Sequence, residues 1–317
     1  MIRIAVTSRS FSKNQVLRKE LEALYPNVTY NISDTLSEEK ELIEFLRGHD
    51  KAIIALNRVN KNVLKALPEL KVIAKYGVGL DQLDLNAMIE LGVRLGWYGG
   101  VNRRSVSELV IGFAIMLLRN VISSCNEVQN GHWRQIRGRQ LSDCTVGIIG
   151  CGHIGKDVGK ILREGFNCRV LAHDIEYFHN YFEDTKIIPV PLEKIIAESD
   201  IITLHLPYDP TTKNILNADR LKNMKKNSIL INTARSGLVD EAALKNLLKA
   251  GHISGAAFDV FSVEPPDDAD LWSLQNFILT PHIGGSTSEA ILSMGRAAIR
   301  GLKENDIPKP GVFPEGF

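Results

Sequence analysis

An α/β protein built from two doubly wound parallel sheets is predicted by three features of this sequence. Residues 1–98 alternate short apolar runs with helical ones, the βαβ rhythm of a parallel sheet covered on both faces. Residues 145–174, TVGIIGCGHIGKDVGKILREGFNCRVLAHD, give strand, glycine turn, helix and strand in one unit. From 145 onward the alternation resumes and continues almost to the end of the chain.

In the first set, strands are expected at 2–7, 28–32, 52–56, 71–75 and 93–97, with helices near 14–24, 37–47, 60–67 and 83–91. A Gly-Gly-Val passage within 98–102 reads as a hinge. Residues 105–121 predict a long helix, apolar nearly all round and therefore buried, placed to bridge domains or a subunit interface. Residues 126–141 are polar around Trp133, which is expected to be buried, and read as an arm leading to the glycine turn. In the second set, strands are expected at 145–149, 169–172, 187–190, 201–205, 228–232, 255–260 and 277–280, with helices between them, including 192–197 and 241–250. A last helix over 286–304 is long enough to return to the first domain. The domains expected are thus 1–100 plus 286–317, and 101–285. The final stretch, DIPKPGVFPEGF, holds three prolines and is expected to lie over a surface.

Composition narrows the class. A chain of 317 residues suits about two domains, and 44% hydrophobic with 24% charged residues is ordinary for a soluble globular protein. A net charge of +1 makes no case for nucleic acid or a membrane surface. The most apolar window, 109–118, is too short to span a bilayer, and the opening MIRIAVTSRS reads as a first strand, not a signal peptide. The four cysteines, Cys125, Cys144, Cys151 and Cys168, lack CxxC spacing and read as reduced thiols of a cytoplasmic protein, with no metal site. Cys151, inside the glycine turn, reads as a space-filler.

Gly150-x-Gly152-x-x-Gly155 is the first functional signal. Gly150 permits a tight turn off the strand, Gly152 lets the backbone approach a pyrophosphate, and Gly155 lets the next helix pack close. That helix starts near His153 and Ile154 and aims its free N–H groups at the phosphate. Asp174 lies 19 residues beyond Gly155 at the end of the next strand, where its carboxylate suits ribose hydroxyls and repels a 2′-phosphate. Ile175 and Glu176 follow it, with no cation, so the cofactor expected is NAD and not NADP. Alone, the motif also fits a ligand-free turn; its context favours the dinucleotide.

Four polar clusters end later strands, where ligands bind in such sheets: Asn232-Thr233-Ala234-Arg235, Asp259, Glu264, and Pro281-His282-Ile283-Gly284-Gly285. Singly, Arg235 also fits a surface ion pair, Asp259 a turn cap, Glu264 plain loop and His282 a structural histidine. Together, beside a nicotinamide, they fit a dehydrogenase. Hydride exchange with a hydroxyl carbon needs a group that moves a proton in the neutral range, met by His282. It needs a carboxylate to hold that ring, met by Glu264, and a forked cation for a substrate carboxylate, met by Arg235.

These motifs, with LHLPYDPTT, NTARSGLVDE, GAAFDVFSVEP and PHIGG, resemble the NAD-dependent D-isomer-specific 2-hydroxyacid dehydrogenases over about residues 71–286. Within that family the chain looks closest to D-3-phosphoglycerate dehydrogenases and glyoxylate/hydroxypyruvate reductases. The resemblance implies a flavodoxin-like substrate domain and a Rossmann NAD domain, with a cleft that closes on the substrate. It assigns Arg235 to the substrate, Glu264 to pairing with the catalytic His282, and Asp259 to the nicotinamide carboxamide. Leu206, Pro207, Thr233 and Ala234 are assigned to the cofactor's surroundings, as are Gly284 and Gly285. In KYGVGLD the N–H groups of Val78 and Gly79 would hold the substrate carboxylate. A homodimer joined through the nucleotide domain is also implied, acting on a small anionic substrate.

Three departures qualify the resemblance. Asp81-Gln82 stands where the family often has Asp-Asn, and Lys75 where an arginine is common; a lysine there still suits an anionic tail such as a phosphate. No C-terminal regulatory domain is expected after His282, nor feedback by serine through one. The alternative to a D-2-hydroxyacid dehydrogenase is an NAD-sensing binding protein like the corepressors of the same family. A dehydrogenase for formate or phosphonate ranks lower, since formate enzymes place a glutamine where Glu264 stands.

Overall fold

A computed structural model describes residues 2–33, 36 and 38–309 of the chain. The structure falls into two compact units, Met1–Asn102 with Gly285–Phe317, and Arg103–Gly284. The expected terminal surface stretch lies mostly outside the described residues.

The first unit runs β1 (Arg3–Val6), α1 (Arg9–Lys13), α2 (Gln15–Leu24), β2 (Asn27–Tyr30), α3 (Glu39–Leu46), β3 (Lys51–Ile54), α4 (Lys61–Ala66), β4 (Val72–Lys75), α5 (Leu85–Leu91) and β5 (Arg94–Gly96). Its sheet is parallel in the order β2-β1-β3-β4-β5, the flavodoxin-like order. Alternate side chains supply the two faces. Ala52, Ile54 and Ile73 pack with residues of α3 to α5, while Ile4, Val6, Ile53 and Ala74 pack with Phe11, Leu17 and the last helix. The helix expected near 14–24 is α2, and the short α1 before it was not expected. Asn14 ends α1 and caps α2, its side chain accepting the N–H groups of Val16 at 3.0 Å and Leu17 at 3.1 Å.

The second unit opens with α6 (Arg103–Leu118) and α7 (Val121–Gln129), then a short 3₁₀ turn at Leu141–Asp143. The alternation follows: β6 (Thr145–Ile149), α8 (His153–Phe166), β7 (Arg169–His173), α9 (His179–Thr185), β8 (Ile188–Pro189), α10 (Leu192–Glu198), β9 (Ile201–Leu204), α11 (Ala218–Lys222), β10 (Ser228–Asn232), α12 (Glu241–Lys249), β11 (Ile253–Phe258), α13 (Ala269–Trp272) and β12 (Phe277–Leu279). The chain then returns to the first unit as α14 (Ser288–Gly301).

All seven strands of this sheet are parallel, in the order β12-β11-β10-β9-β6-β7-β8. Chain order reverses between β6 and β9, which makes a crevice at their C-terminal ends the natural ligand position. Val146, Ile148, Ile201, Ile229 and Ile231 face α6 and α8; Ile149, Ile202, Leu204 and Leu230 face α10 to α12.

Two expectations about residues 105–141 are corrected. The helix expected over 105–121 is α6 and stops at Leu118: Asn120 adopts a left-handed conformation, φ 52°, and α7 departs from α6 by 59°. Residues of α6 lie over α8, β10 and β11 within this unit's own core. Trp133 is 87% exposed, because the segment around it has no regular structure and mostly polar neighbours in sequence. Among the described residues no single helix is long and apolar enough to cross a membrane.

Candidate active site

Register brings the expected polar residues into one row. Ile149 pairs with His173 and Leu204; Leu204 pairs with Asn232, Asn232 with Phe258, and Phe258 with Leu279. The residues that leave these strands therefore emerge side by side: Asp174 from β7, Gly150 from β6, Leu206 and Pro207 from β9, Thr233 to Arg235 from β10, Asp259 from β11 and His282 from β12. Neighbouring strands sit about 4.8 Å apart, so the row suits an extended ligand laid across the sheet.

The glycine turn has the geometry its spacing implies. Gly150 has φ 99°, and a Cβ there would lie 2.5 Å from the His205 carbonyl oxygen. A Cβ on Gly155 would lie 1.9 Å from the Gly150 carbonyl oxygen, so the first turn of α8 closes directly on the loop. At Gly152 nothing lies within 4 Å of such an atom, which leaves the space a phosphate needs. Asp174 also braces the scaffold. It accepts the Cys151 N–H at 2.5 Å and the Glu176 N–H at 3.0 Å, tying the glycine turn to β7. His153 opens α8 with its imidazole held below its ordinary range by partial burial and then by the nearby Arg103 and Lys156 charges; Ile154 is half-buried beside it. Burial, reinforced by the Asp174 charge, pushes the Cys151 thiol up to about 12, which makes it inert.

At the other end of the row the turn after β12 is fastened from below. Asp259 is 1% exposed. Its Oδ1 accepts the Thr280 hydroxyl at 2.5 Å and the Ile283 N–H at 2.7 Å, and its Oδ2 accepts the Gly284 N–H at 2.7 Å. The Gly284 carbonyl in turn accepts the Ser105 hydroxyl at 2.5 Å. His282 sits in this turn with φ 54°, a left-handed conformation that costs a non-glycine residue about 1 kcal/mol. Its Nδ1 lies 3.2 Å from Glu264 Oε1 and 3.1 Å from Oε2. Glu264 is itself steadied by the Phe261 N–H at 3.1 Å. With Nδ1 facing the carboxylate, Nε2 is the atom left to meet a ligand.

The β10 turn is braced by its own asparagine. The fully buried Asn232 accepts the Ala234 N–H at 3.1 Å and donates to the Arg235 carbonyl at 2.9 Å. Arg235 Nη1 donates to the Ala234 carbonyl at 2.7 Å. Thr233 is buried, and its hydroxyl has no hydrogen-bond partner among the described residues. Buried polar groups are rarely left so, and a polar ligand group at this place in the row would satisfy it.

In the first unit Lys75 is buried and its ammonium donates to the Ala55 carbonyl. That engages one of the three donors of the ammonium, so the scaffold supplies part of what the buried charge needs. Val78 and Gly79 are half-buried, and Val78 presents its carbonyl to the Trp97 indole N–H at 2.8 Å. Gly285 falls in this unit, beside Asn102 and Met294.

Residues 111–284 match the model of the D-isomer specific 2-hydroxyacid dehydrogenase, NAD binding domain. The chain belongs to the D-isomer-specific 2-hydroxyacid dehydrogenase family. It is 38% identical over 263 residues to glycerate dehydrogenase of Methylorubrum extorquens, covering 80% of this chain and 81% of that protein. It is 33% identical over 289 residues to hydroxypyruvate reductase of Thermotoga maritima, covering 89% and 93%. Among solved structures it superposes on D-lactate dehydrogenase from Aquifex aeolicus, complexed with NAD and lactic acid, with a TM-score of 0.82 and 25% identity over 95% and 94% of the chains. As a member of this family the chain is an NAD-dependent oxidoreductase of D-2-hydroxy acids.

Ser105 and Thr280 joined the site without a sequence signal of their own, and His205 with a slight one. His205 Nε2 lies 3.0 Å from the Thr203 hydroxyl, and burial pulls the imidazole down to about 3, so it is neutral at pH 7. Its position in LHLP, one residue past a buried strand, was the only hint in the sequence.

Proposed function

We propose that His282 is the proton-transfer group of this dehydrogenase, with Glu264 holding its ring and Arg235 binding the substrate carboxylate. The observation that carries this reading is the contact of His282 Nδ1 with both oxygens of Glu264. It fixes the tautomer and leaves Nε2 to act on the substrate oxygen. Protonated, Nε2 donates to a keto oxygen; neutral, it accepts the proton of a hydroxyl. Arg235 suits a carboxylate because its planar fork offers two parallel donors. The N–H groups of Val78 and Gly79 are proposed as further carboxylate donors.

NAD, when bound, supplies the hydride acceptor or donor. The residues proposed to hold it are Gly150, Gly152, His153, Ile154 and Gly155 at the pyrophosphate, and Asp174 at the adenosine ribose. Leu206, Pro207, Thr233 and Ala234 line its course toward Asp259, His282, Gly284 and Gly285. Support comes from the open space at Gly152 and the orphaned Thr233 hydroxyl.

The substrate proposed is a small 2-keto acid or its D-2-hydroxy acid with an uncharged tail, as in the glycerate and hydroxypyruvate of the relatives' names. The engagement of Lys75 with Ala55 favours this over D-3-phosphoglycerate. A homodimer is proposed through α7 and the following arm, where Val121, Ile122, Val128 and Trp133 are exposed. Four free thiols fit the cytoplasm.

The test is loss of NADH absorbance with hydroxypyruvate, glyoxylate, pyruvate and phosphohydroxypyruvate in turn, with NADPH in parallel. Turnover best with an uncharged-tail substrate and NADH supports the reading. A preference for the phosphorylated acid would overturn the substrate assignment, and silence with NADH shown to bind would return weight to the NAD-sensing alternative.

A further inference from the structure

We infer that Ser105 is a positioning residue for His282, acting through the Gly284 carbonyl; this rests on the reading of His282 as the proton-transfer group. The His282 side chain is half exposed, and Glu264, at Nδ1, is the one side chain hydrogen-bonded to it among the described residues. Its direction depends on the backbone of the turn, held in a left-handed conformation that would relax if released.

Three hydrogen bonds fasten that turn to Asp259, all from the β11 side. None restrains the Gly284 carbonyl. That oxygen is held by Ser105, the third residue of α6, whose hydroxyl is buried and donates at 2.5 Å. The same helix closes the remaining space: a Cβ on Gly284 would meet Val106 at 3.4 Å and Asp259 Oδ2 at 3.0 Å. The Gly284 peptide is thus clamped between Asp259 on one side and α6 on the other, two residues from the histidine.

Connectivity gives the latch its consequence. Arg103 and Gly284 are the first and last residues of the second unit. Ser105 therefore ties together the two ends of that unit's chain at the point where His282 is displayed. Without the hydroxyl, the Gly284 carbonyl loses its donor and only the Asp259 side of the clamp remains. The turn can then rotate, carrying Nδ1 away from Glu264 and Nε2 away from the substrate oxygen.

The experiment compares Ser105→Ala, Ser105→Thr and Ser105→Cys with wild type and His282→Asn. It measures kcat, KM for the keto acid, the NADH dissociation constant by fluorescence, and the solvent deuterium isotope effect on kcat. Ser105→Ala is expected to lower kcat about 10- to 100-fold, because a displacement near 1 Å costs that much. NADH affinity should stay within about twofold, and the solvent isotope effect should rise as proton transfer becomes limiting. Ser105→Thr, which keeps the hydroxyl, should recover most of kcat. If the alanine variant does not fold, Ser105→Cys, a weak donor of similar size, should show an intermediate loss. Wild-type kcat in the alanine or cysteine variant would overturn the latch if His282→Asn abolishes turnover. An alanine-variant loss of kcat matched by an equal loss of NADH affinity would overturn it too. Turnover retained in His282→Asn would instead sink the reading of the histidine.

Discussion

Asp174 joins a proposed binding role to an architectural one. Its carboxylate is proposed to meet the adenosine ribose, yet it also accepts the Cys151 N–H inside the glycine turn. Asp174→Ala should therefore do two things at once. NADPH should become a usable cofactor as the charge that repels a 2′-phosphate goes, and NADH should bind about tenfold more weakly, the equivalent of one hydrogen bond of about 1.4 kcal/mol. Titration of both nucleotides by fluorescence checks this, and an unchanged NADH affinity would contradict the loop clamp. At Arg235, replacement by lysine keeps the charge and loses the fork. A strongly raised KM for the keto acid with lowered kcat is expected for Arg235→Lys, and a wild-type KM would remove it from the carboxylate. The residues proposed to carry the chemistry stood out in the sequence because each stands in a motif at a strand end. Ser105 was not, since a serine near the start of an apolar helix carries no sign that tertiary packing aims it at Gly284.

The elements were legible where apolar alternation was strong and obscure where capping decided the matter. Strands β6 and β10 were read with the bounds they have, because each is apolar on both faces between polar boundaries. The short α1 and the bend at Asn120 were missed, since five residues are too few to show a period and the bend rests on one asparagine's backbone. The start of β6 carries a testable device. Asp200 follows α10, is 5% exposed, and accepts Lys225 Nζ at 2.7 Å, the Thr145 N–H at 2.8 Å and Arg139 Nη1 at 3.2 Å. Burial pushes its carboxyl up, but these three donors outweigh burial and hold it below the usual carboxylate range. A depressed carboxylate stabilises the fold above its unfolded value, near pH 4, and the contribution is lost as pH falls through the folded value. Asp200→Asn should thus lower stability at neutral pH by about 3 kcal/mol and flatten the fall of Tm below about pH 4. An acid limb parallel to wild type would contradict the assignment.

For the molecule as a whole, the division into two parallel-sheet units followed from the repeated βαβ rhythm, and strand order then placed the polar residues in a row that no linear motif displays. What the sequence misjudged was exposure. Trp133 reads as a core residue by type, but core membership depends on what surrounds a segment, and a single chain offers this one no cover. The proposed dimer would provide it. Wild type is expected to sediment at twice the chain mass, and the double variant Ile122→Asp with Trp133→Asp at the mass of one chain. A wild-type monomer would dismiss the arm as an interface.

The role of His282 is tested most directly by single-turnover oxidation of bound NADH by hydroxypyruvate in wild type and His282→Asn, with NADH affinity measured on the same samples. The rate is expected to be about 100- to 10,000-fold lower in the variant, with NADH affinity within about twofold of wild type. A near-wild-type rate in His282→Asn would contradict this, and would mean that the histidine held against Glu264 is part of the scaffold and not of the chemistry.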